Sequence, residues 1–357
     1  MAENDKKKLE EILKKLISIK SKTGEENKII DFLEDYLTDI GLEVERERID
    51  HRENIFAYRG KPKYLIATHV DTVPAWGFRK AFSPKTLKGK VYGRGAVDTK
   101  GQISPLLLAL EKTKESCAIA FFVDEEKDAK GSEKFNPKFK FDGALILEPT
   151  NFKISIMQAG SIEIYLEVRG TSSHGAVPRK GRSAIDNFIE IYRKLKCLDH
   201  IKNRPKFFRD SGVNLGWIRG GVDCQIVPKV CRGEIDIPVF PEDDMEKIKR
   251  EIEDVVRGYD AKIEIKAFDK PFKISKSEKI VELLEKSIRG IKRVEYSGMP
   301  AWTDAANLIE KSIPSVVFGA GDLSLAHTER ECIRVKDMHD LYRILKRFLE
   351  LSETCSG

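Results

Sequence analysis

YLIATH (64–69), AIAFFVDEE (118–126) and GALILE (143–148) decide the fold of this chain. Each opens with a short, almost purely apolar run and closes on histidine or carboxylate. A strand that is apolar along its whole length has no face for water, the pattern of a central sheet covered by helices. QISPLLLALEKTKE (102–115), between the first two runs, reads as a covering helix. The expected class is therefore α/β. Open sheets of this class bind ligands outside the carboxyl ends of their strands. His69, Asp124, Glu125, Glu126 and Glu148 all fall there and are expected to converge. A strand must end in something polar, but three consecutive buried strands ending this way carry more weight than one.

Outward from this sheet, residues 5–20 place Leu9, Ile12, Leu13, Leu16 and Ile19 at helical spacing. A second helix is expected over 25–39, with Gly41 suited to its C-terminal cap. LEVERERI (42–49) and NIFAYRG (54–60) read as strands joined by a polar turn. After Gly160 the texture changes. SIEIYLEVRG (161–170) alternates, RSAIDNFIEIYRKL (182–195) is helical, and VNLGWIRGG (213–221) and IVPKVCRGEIDIPV (226–239) are strand-like. PEDDMEKIKREIEDVVRG (241–258), with Pro241 near its start, is a helix, and AKIEIKAF (261–268) a last strand. This β-α-β-β-α-β order predicts a small α+β, ferredoxin-like domain with helices on one face of an antiparallel sheet. Helix, strand (SVVFGAG, 315–321) and helix (DMHDLYRILKRFLELS, 337–352) then return to the first texture. The expected division is 1–159 and 269–357 as one domain, with 160–268 inserted.

Composition narrows the function. The 357 residues are 41% apolar, enough for a real core. Net charge is +6 from 64 basic and 58 acidic residues, with both signs mixed along the chain. A solvated charged surface explains that better than a nucleic-acid footprint, and no basic stripe with interleaved aromatics is present. The N-terminus, MAENDKKKLEEILKK, lacks a secretory apolar core, and no apolar run approaches the ~20 residues of a membrane span. Cys117, Cys197, Cys224, Cys231, Cys332 and Cys355 are scattered without a CxxC pair. A cytoplasmic protein that binds neither membrane nor nucleic acid is expected.

The chemistry lies in histidines and carboxylates. In extended chain, residues i and i+2 share a face, so Asp71 can fix the orientation of His69. Asp98 sits in GRGAVDTKG (93–101), a glycine-rich turn opening a helix. In isolation it reads as an N-cap; with His69 and Glu148 nearby, metal ligation is the better reading. His327 follows SVVFGAG, in SLAHTERE (324–331). Two histidines with Asp98, Glu126 and Glu148 are the sulfur-free donor set of a catalytic zinc, cobalt or manganese site. Five ligands exceed one tetrahedral ion, whereas a shared carboxylate gives two ions three protein ligands each. Such a site activates water and polarises a carbonyl. Of the pair Glu125-Glu126, one can then ligate while the other serves as general base. Elsewhere in a protein, the same acidic triplet would be a solvated turn.

HVDTVP (69–74), GRGAVDTKG (93–101), DEE (124–126), LEPT (147–150), SSHGAVP (172–178) and AHTERE (326–331), in this order, resemble the M20 metallopeptidase family over nearly the full length. That family includes acetylornithine deacetylase, succinyl-diaminopimelate desuccinylase, the lysine-releasing hydrolase of amino-group-carrier lysine biosynthesis, and carboxypeptidases. The resemblance implies that Asp98 bridges two zinc ions (cobalt or manganese as alternatives). His69 and Glu148 complete one site, Glu126 and His327 the other. It makes Glu125 the general base toward a metal-bridging hydroxide and Asp71 the group that orients His69. It also implies that the inserted domain is a lid through which a homodimer forms. His174 would then stabilise the oxyanion in the partner's site.

At substrate-reading positions the chain departs from those relatives. Gln225 stands where they usually carry Asn, Pro238 where they often carry Arg, and Gln158-Ala159 where an Arg precedes the lid strand. Arg is the usual reader of planar carboxylates, so a succinylated substrate is disfavoured. Thr303 and Asp304, in TDAANL (303–308), match a stretch that lines the family's pocket. The expected activity is removal of an acyl group from an N-acyl amino acid, of N-acetylornithine or N-acetyl-lysine type, in arginine or lysine biosynthesis. A dipeptidase or carboxypeptidase of the same family, or succinyl-diaminopimelate desuccinylase, is the alternative.

Overall fold

In the computed structural model, which describes residues 2–354, the three apolar runs are the strands Tyr64–His69, Cys117–Phe122 and Gly143–Leu147. Every residue of all three is buried. Tyr64–His69 lies between the other two and is parallel to both, with His69 level with Phe122. Ser315–Phe318 adds a further parallel strand beside Gly143–Leu147. The hairpin Glu43–Ile49 and Arg52–Arg59 joins antiparallel through Cys117–Phe122, so the sheet is mixed. The Thr68 hydroxyl donates to the carbonyl of Leu147 at 2.9 Å. This bond levels the carboxyl ends of two neighbouring strands, where His69 and Glu148 begin to project.

The covering helix runs Lys100–Lys112, and its residues from Lys100 to Leu110 are all buried. It packs against the helices Ala2–Ser18 and Val335–Thr354. A helix covered on both sides has no solvent-facing side, which explains its apolar run from Pro105 to Leu110; its buried Lys100, Gln102 and Ser104 are each hydrogen-bonded to main chain. The second helix starts at Asn27 rather than residue 25, because Glu26 is buried in an ion pair with Arg52. Gly41 follows its last turn at φ +83°, a conformation that favours glycine. The strands Lys85–Leu87, Lys90–Tyr92 and Cys332–Arg334 form a small sheet that the sequence pattern did not announce. Each is too short to show a period. The described cysteines, Cys117, Cys197, Cys224, Cys231 and Cys332, are free thiols, and Cys355 lies outside the described residues. Among the described residues, no helix is long and apolar enough to cross a membrane.

The chain divides into two compact units, Met1–Ile156 with Ile274–Ser297 and Thr303–Gly357, and Met157–Lys273 with Gly298–Trp302. The second unit is an antiparallel sheet in the order Asn214–Gly220, Val230–Val239, Gly160–Arg169, Ala261–Asp269. Ile162, Ile164, Leu166 and Val168 alternate onto its inner face. There they meet Phe188 and Ile191 of the helix Ala184–Leu195 and Ile248 and Ile252 of Met245–Arg257. Two details differ from the sequence reading. The third strand starts at Val230, after Ile226 has made an isolated bridge to His174. The second helix starts at Met245, because Asp244 caps it by accepting from the Lys247 N–H at 3.0 Å; Pro241 stays outside.

The outer face of this sheet sets Glu163 directly opposite Asp236. Burial raises the pKa of both, and at Glu163 the charges of Asp236 and Asp269 add to it. Asp269 is raised in the same way, by burial and by Asp236. The folded unit therefore holds protons that the unfolded chain releases, and stability falls as pH rises from the ordinary carboxylate range through these raised values. Asp236→Asn is expected to raise the melting temperature at pH 7.5 by about 1–3 °C and to flatten its decline between pH 5 and 7.5. Thermal melts at both pH values check this, and an unchanged slope refutes it.

Candidate metal centre

The level strand ends bring the ligand candidates of the first unit together. His69 Nε2 lies 3.1 Å from Asp98 Oδ1 and 3.6 Å from Glu148 Oε1. His327 Nε2 lies 3.3 Å from Asp98 Oδ2 and 3.1 Å from Glu126 Oε2. Asp98 thus turns one oxygen to each imidazole. His69, Asp98 and Glu126 each bring a donor atom within 4.8 Å of the others. Glu125 stands beside them, with Oε2 3.9 Å from His69 Nε2.

The sequence left Asp98 between N-cap and ligand. The residue before the helix is Thr99, so Asp98 is not its cap. Thr99 does not cap by its side chain either, and its hydroxyl donates to the His69 carbonyl at 2.7 Å. Asp71 is placed differently from the simple i, i+2 expectation. His69 Nδ1 is 3.0 Å from the main-chain carbonyl of Asp71 and 3.5 Å from its carboxylate. That carboxylate instead accepts from the N–H groups of Glu125 and Glu126, each at 3.2 Å, and from the Thr23 hydroxyl at 2.8 Å.

The acidic triplet divides two ways. Asp124 turns away and accepts from Arg52 Nη1 at 2.7 Å, a buried pair that also includes Glu26. This contact holds Asp124 at φ +72°, a left-handed conformation that costs an L residue about 1–2 kcal/mol. Glu125 and Glu126 then face the cluster. His327 is held in the same region, at φ +62°, and the exposed ring of Trp76 meets it edge-on at 6.0 Å. Arg52 and Trp76 were not singled out in the sequence, since neither spacing nor neighbours mark them.

Thr303 and Asp304 are 1% and 0% exposed. The Ser132 hydroxyl donates to Asp304 Oδ1 at 2.5 Å, and Asp304 Oδ2 has no partner. Burial lifts this carboxyl to about 7. Its charge in turn raises the pKa of Glu125 and Glu148, so it acts on the cluster electrostatically. In the second unit, His174 and Gln225 are exposed and neighbours. The Gly175 N–H donates to the Gln225 carbonyl at 2.6 Å, and the Ala176 N–H to His174 Nδ1 at 3.1 Å.

The electrostatics of the donor set suit a divalent cation. Burial raises Glu125 and Glu148 well above the usual carboxyl range, against the pull of His69. Burial and the charge of Asp98 raise Glu126. Burial also opposes charge on both imidazoles, yet the carboxylates overcome it: His69 is well above its ordinary value and His327 is at about 10. Among the described residues, no Lys or Arg pairs with Asp98, Glu125, Glu126 or Glu148. Glu148 Oε1 is buried without a hydrogen bond. Nitrogen and oxygen donors, surplus negative charge and an orphaned buried acceptor fit divalent cations, which supply the missing positive charge.

Comparison with known proteins agrees with the geometry. The model of peptidase family M20/M25/M40 matches residues 65–351. A succinyl-diaminopimelate desuccinylase of Rickettsia bellii is 28% identical, covering 94% of this chain and 95% of its own. A probable carboxypeptidase of Aspergillus clavatus is 27% identical, covering 92% and 86%. In fold, a tripeptidase of Staphylococcus aureus superposes with a TM-score of 0.81 at 20% identity, over 98% of this chain and 99% of that one.

Asp71→Asn would set an amide NH₂ against donors that now share two carboxylate oxygens. Metal retention against a chelator is expected to weaken roughly tenfold to a hundredfold, the usual cost of losing a group that positions ligands. Wild-type retention would reduce Asp71 to packing.

Proposed function

The chain belongs to peptidase family M20/M25/M40 and is a hydrolase of amide bonds, and on that footing we propose that it removes the acyl group from an N-acyl amino acid. Glu125 is the observation that carries this reading. It stands beside the ligand cluster without a Lys or Arg partner, and its carboxyl is raised by burial and by Glu148 and Glu126 against the pull of His69. Such a group can accept a proton from water and pass it on to a departing amine.

His69, Asp98, Glu126, Glu148 and His327 are the proposed holders of two zinc ions, with cobalt or manganese as alternatives, and Asp98 serves both. Bound ions supply positive charge that polarises an amide carbonyl and makes water more acidic. Glu125 takes the proton as the water oxygen bonds to the carbonyl carbon, then returns it to nitrogen as the C–N bond breaks. Asp71 holds Glu125 in place through its main-chain N–H. His174 is the proposed oxyanion donor. Its Nδ1 accepts from the Ala176 N–H, so the ring proton is on Nε2 and available to donate. In a homodimer formed through the second unit, the group acting in each site is His174 of the partner subunit. The edge strand Asn214–Gly220, with exposed Ile218, and exposed Ile189 on the neighbouring helix support a second copy there.

Substrate choice follows from missing guanidinium groups. Pro238 occupies its strand opposite Ser161, and Gln158-Ala159 precede Gly160, two places where the family resemblance implies Arg. An acylated basic amino acid, of N-acetylornithine or N-acetyl-lysine type in arginine or lysine biosynthesis, is favoured over a succinylated one. A cytoplasmic site of action goes with that reading. The carboxypeptidase relative favours peptide cleavage as the second reading, and the desuccinylase relative keeps the succinyl substrate in the panel.

Release of free amine is measured from N-acetyl and N-succinyl amino acids and from dipeptides, on metal-stripped protein with and without zinc or cobalt. Metal-restored turnover of N-acetyl basic amino acids is expected. Faster cleavage of dipeptides moves the chain to the peptidase reading. Glu125→Gln is expected to lose about 10²–10⁴-fold in turnover while still binding metal; loss of metal would make Glu125 a ligand instead.

A further inference from the structure

Arg94 and Glu331 form an ion pair that the chemistry above does not use. Arg94 Nη1 lies 2.7 Å from Glu331 Oε2, with the side chains 1% and 0% exposed. Burying such a pair is a poor source of stability, because desolvation of both charges offsets most of their attraction. Its other contacts give it a purpose. Glu331 Oε1 accepts from the main-chain N–H of Val97 at 3.1 Å and of Asp98 at 3.4 Å. Arg94 Nη2 donates to the main-chain carbonyl of His327 at 3.4 Å. One buried pair therefore spans the loop that carries Asp98 and the loop that carries His327.

Those two residues face each other at 3.3 Å and need a fixed separation to share an ion with Glu126. The other bonds around His327 are mostly internal to its own loop, such as the Thr328 hydroxyl to the Leu325 carbonyl at 2.8 Å and the Arg330 N–H to the Thr328 hydroxyl at 3.1 Å; toward the Asp98 loop there is besides the pair a 3.3 Å bond from the Gly93 N–H to the Glu331 carbonyl. His327 is left-handed, and the N–H groups of Thr328 and Glu331 make only long 3.4 Å bonds within the loop. His69 is placed otherwise, by the end of its strand and by the Asp71 carbonyl.

We propose that Arg94 and Glu331 are positioning residues that set the Asp98–His327 separation and so the affinity for the ion held by Asp98, Glu126 and His327, touching neither metal nor substrate. This rests on the two-metal reading. It predicts an asymmetric effect, because Asp98 is common to both sites while His327, the other residue the pair reaches, belongs to only one of them, and the pair makes no bond to His69 or Glu148.

The test titrates metal-stripped full-length protein with Zn²⁺ or Co²⁺ against a chromophoric chelator, resolving two dissociation constants. His327→Ala identifies which constant belongs to the Glu126–His327 site. Glu331→Gln keeps the side chain's size but leaves Arg94 facing an uncharged amide. It is expected to weaken that constant tenfold or more and the other by less than threefold. Arg94→Lys keeps a charge opposite Glu331 but cannot reach both Glu331 and the His327 carbonyl; a smaller loss, confined to the same constant, is expected. It also carries the test if Glu331→Gln does not fold. Wild-type constants in both folded variants overturn the proposal, as does equal weakening of both sites in parallel with the melting temperature of the metal-free protein. Failure of the wild type to bind two ions would overturn the two-metal reading instead.

Discussion

Asp98 lies between two imidazoles, one carboxylate oxygen 3.1 Å from His69 and the other 3.3 Å from His327. Hydrogen bonds from both rings overcome the effect of burial and hold its pKa below the ordinary carboxylate range. Most of the first unit serves this arrangement. The parallel strands must end level so that His69 and Glu148 emerge together. The helix Lys100–Lys112 must be buried deeply enough for the turn before it to reach the strand ends. Gln102 fastens that turn, donating to the carbonyls of Val97 and Ala320 and accepting from the Ala320 N–H. A Cβ on Gly319 would meet the Glu148 carbonyl at 2.5 Å and Gln102 Oε1 at 2.6 Å. Glycine is what lets these three segments close on one another.

Concentrating carboxylates in a buried site has structural consequences around it. Neighbouring charges must be kept from neutralising the ligands. Arg52 is taken up by Glu26 and Asp124, and Arg94 by Glu331. Lys100 is buried and lowered by burial to about 7, with Nζ donating to the Ile19 carbonyl at 2.8 Å. Each nearby cation has a partner of its own, which leaves the surplus negative charge of the cluster available to an incoming cation. Buried pairs of this kind add little stability, so their use here lies in where they hold loops and charge.

The parts of this design that were legible in sequence are those encoded locally. Apolar runs ending in His69, Glu125-Glu126 and Glu148 revealed both the sheet and the edge where chemistry gathers. The alternation of 161–170 revealed the inner face of the second sheet. Arg52 and Glu331 were illegible for a different reason. A charged residue is buried because of what the fold brings to it from far along the chain, and neither spacing nor composition records that. Strand and helix limits near Pro241 and Ile226 were missed because they depend on a cap at Asp244 and a single bridge to His174. Asp98 read as a plausible cap because the true residue before the helix, Thr99, is its neighbour.

Asp71 shows how one residue can serve two parts of the site. A carbonyl oxygen can only accept, so the 3.0 Å contact from His69 Nδ1 to the Asp71 main chain fixes the proton on Nδ1. Without metal, Nε2 carries the second proton and donates to Asp98 at 3.1 Å; once that proton leaves, Nε2 offers its lone pair on the same side, the orientation a ligating imidazole needs. Because the main chain performs this task, the Asp71 carboxylate is free to take the N–H groups of Glu125 and Glu126. The tautomer of one proposed ligand and the placement of the proposed base beside another are thereby set by a single residue. Glu at this position would keep the carbonyl and lose the carboxylate geometry; Asn would keep the carbonyl and lose an acceptor. Only a short side chain with two acceptor oxygens satisfies both halves, which is the physical reason for aspartate two residues after His69.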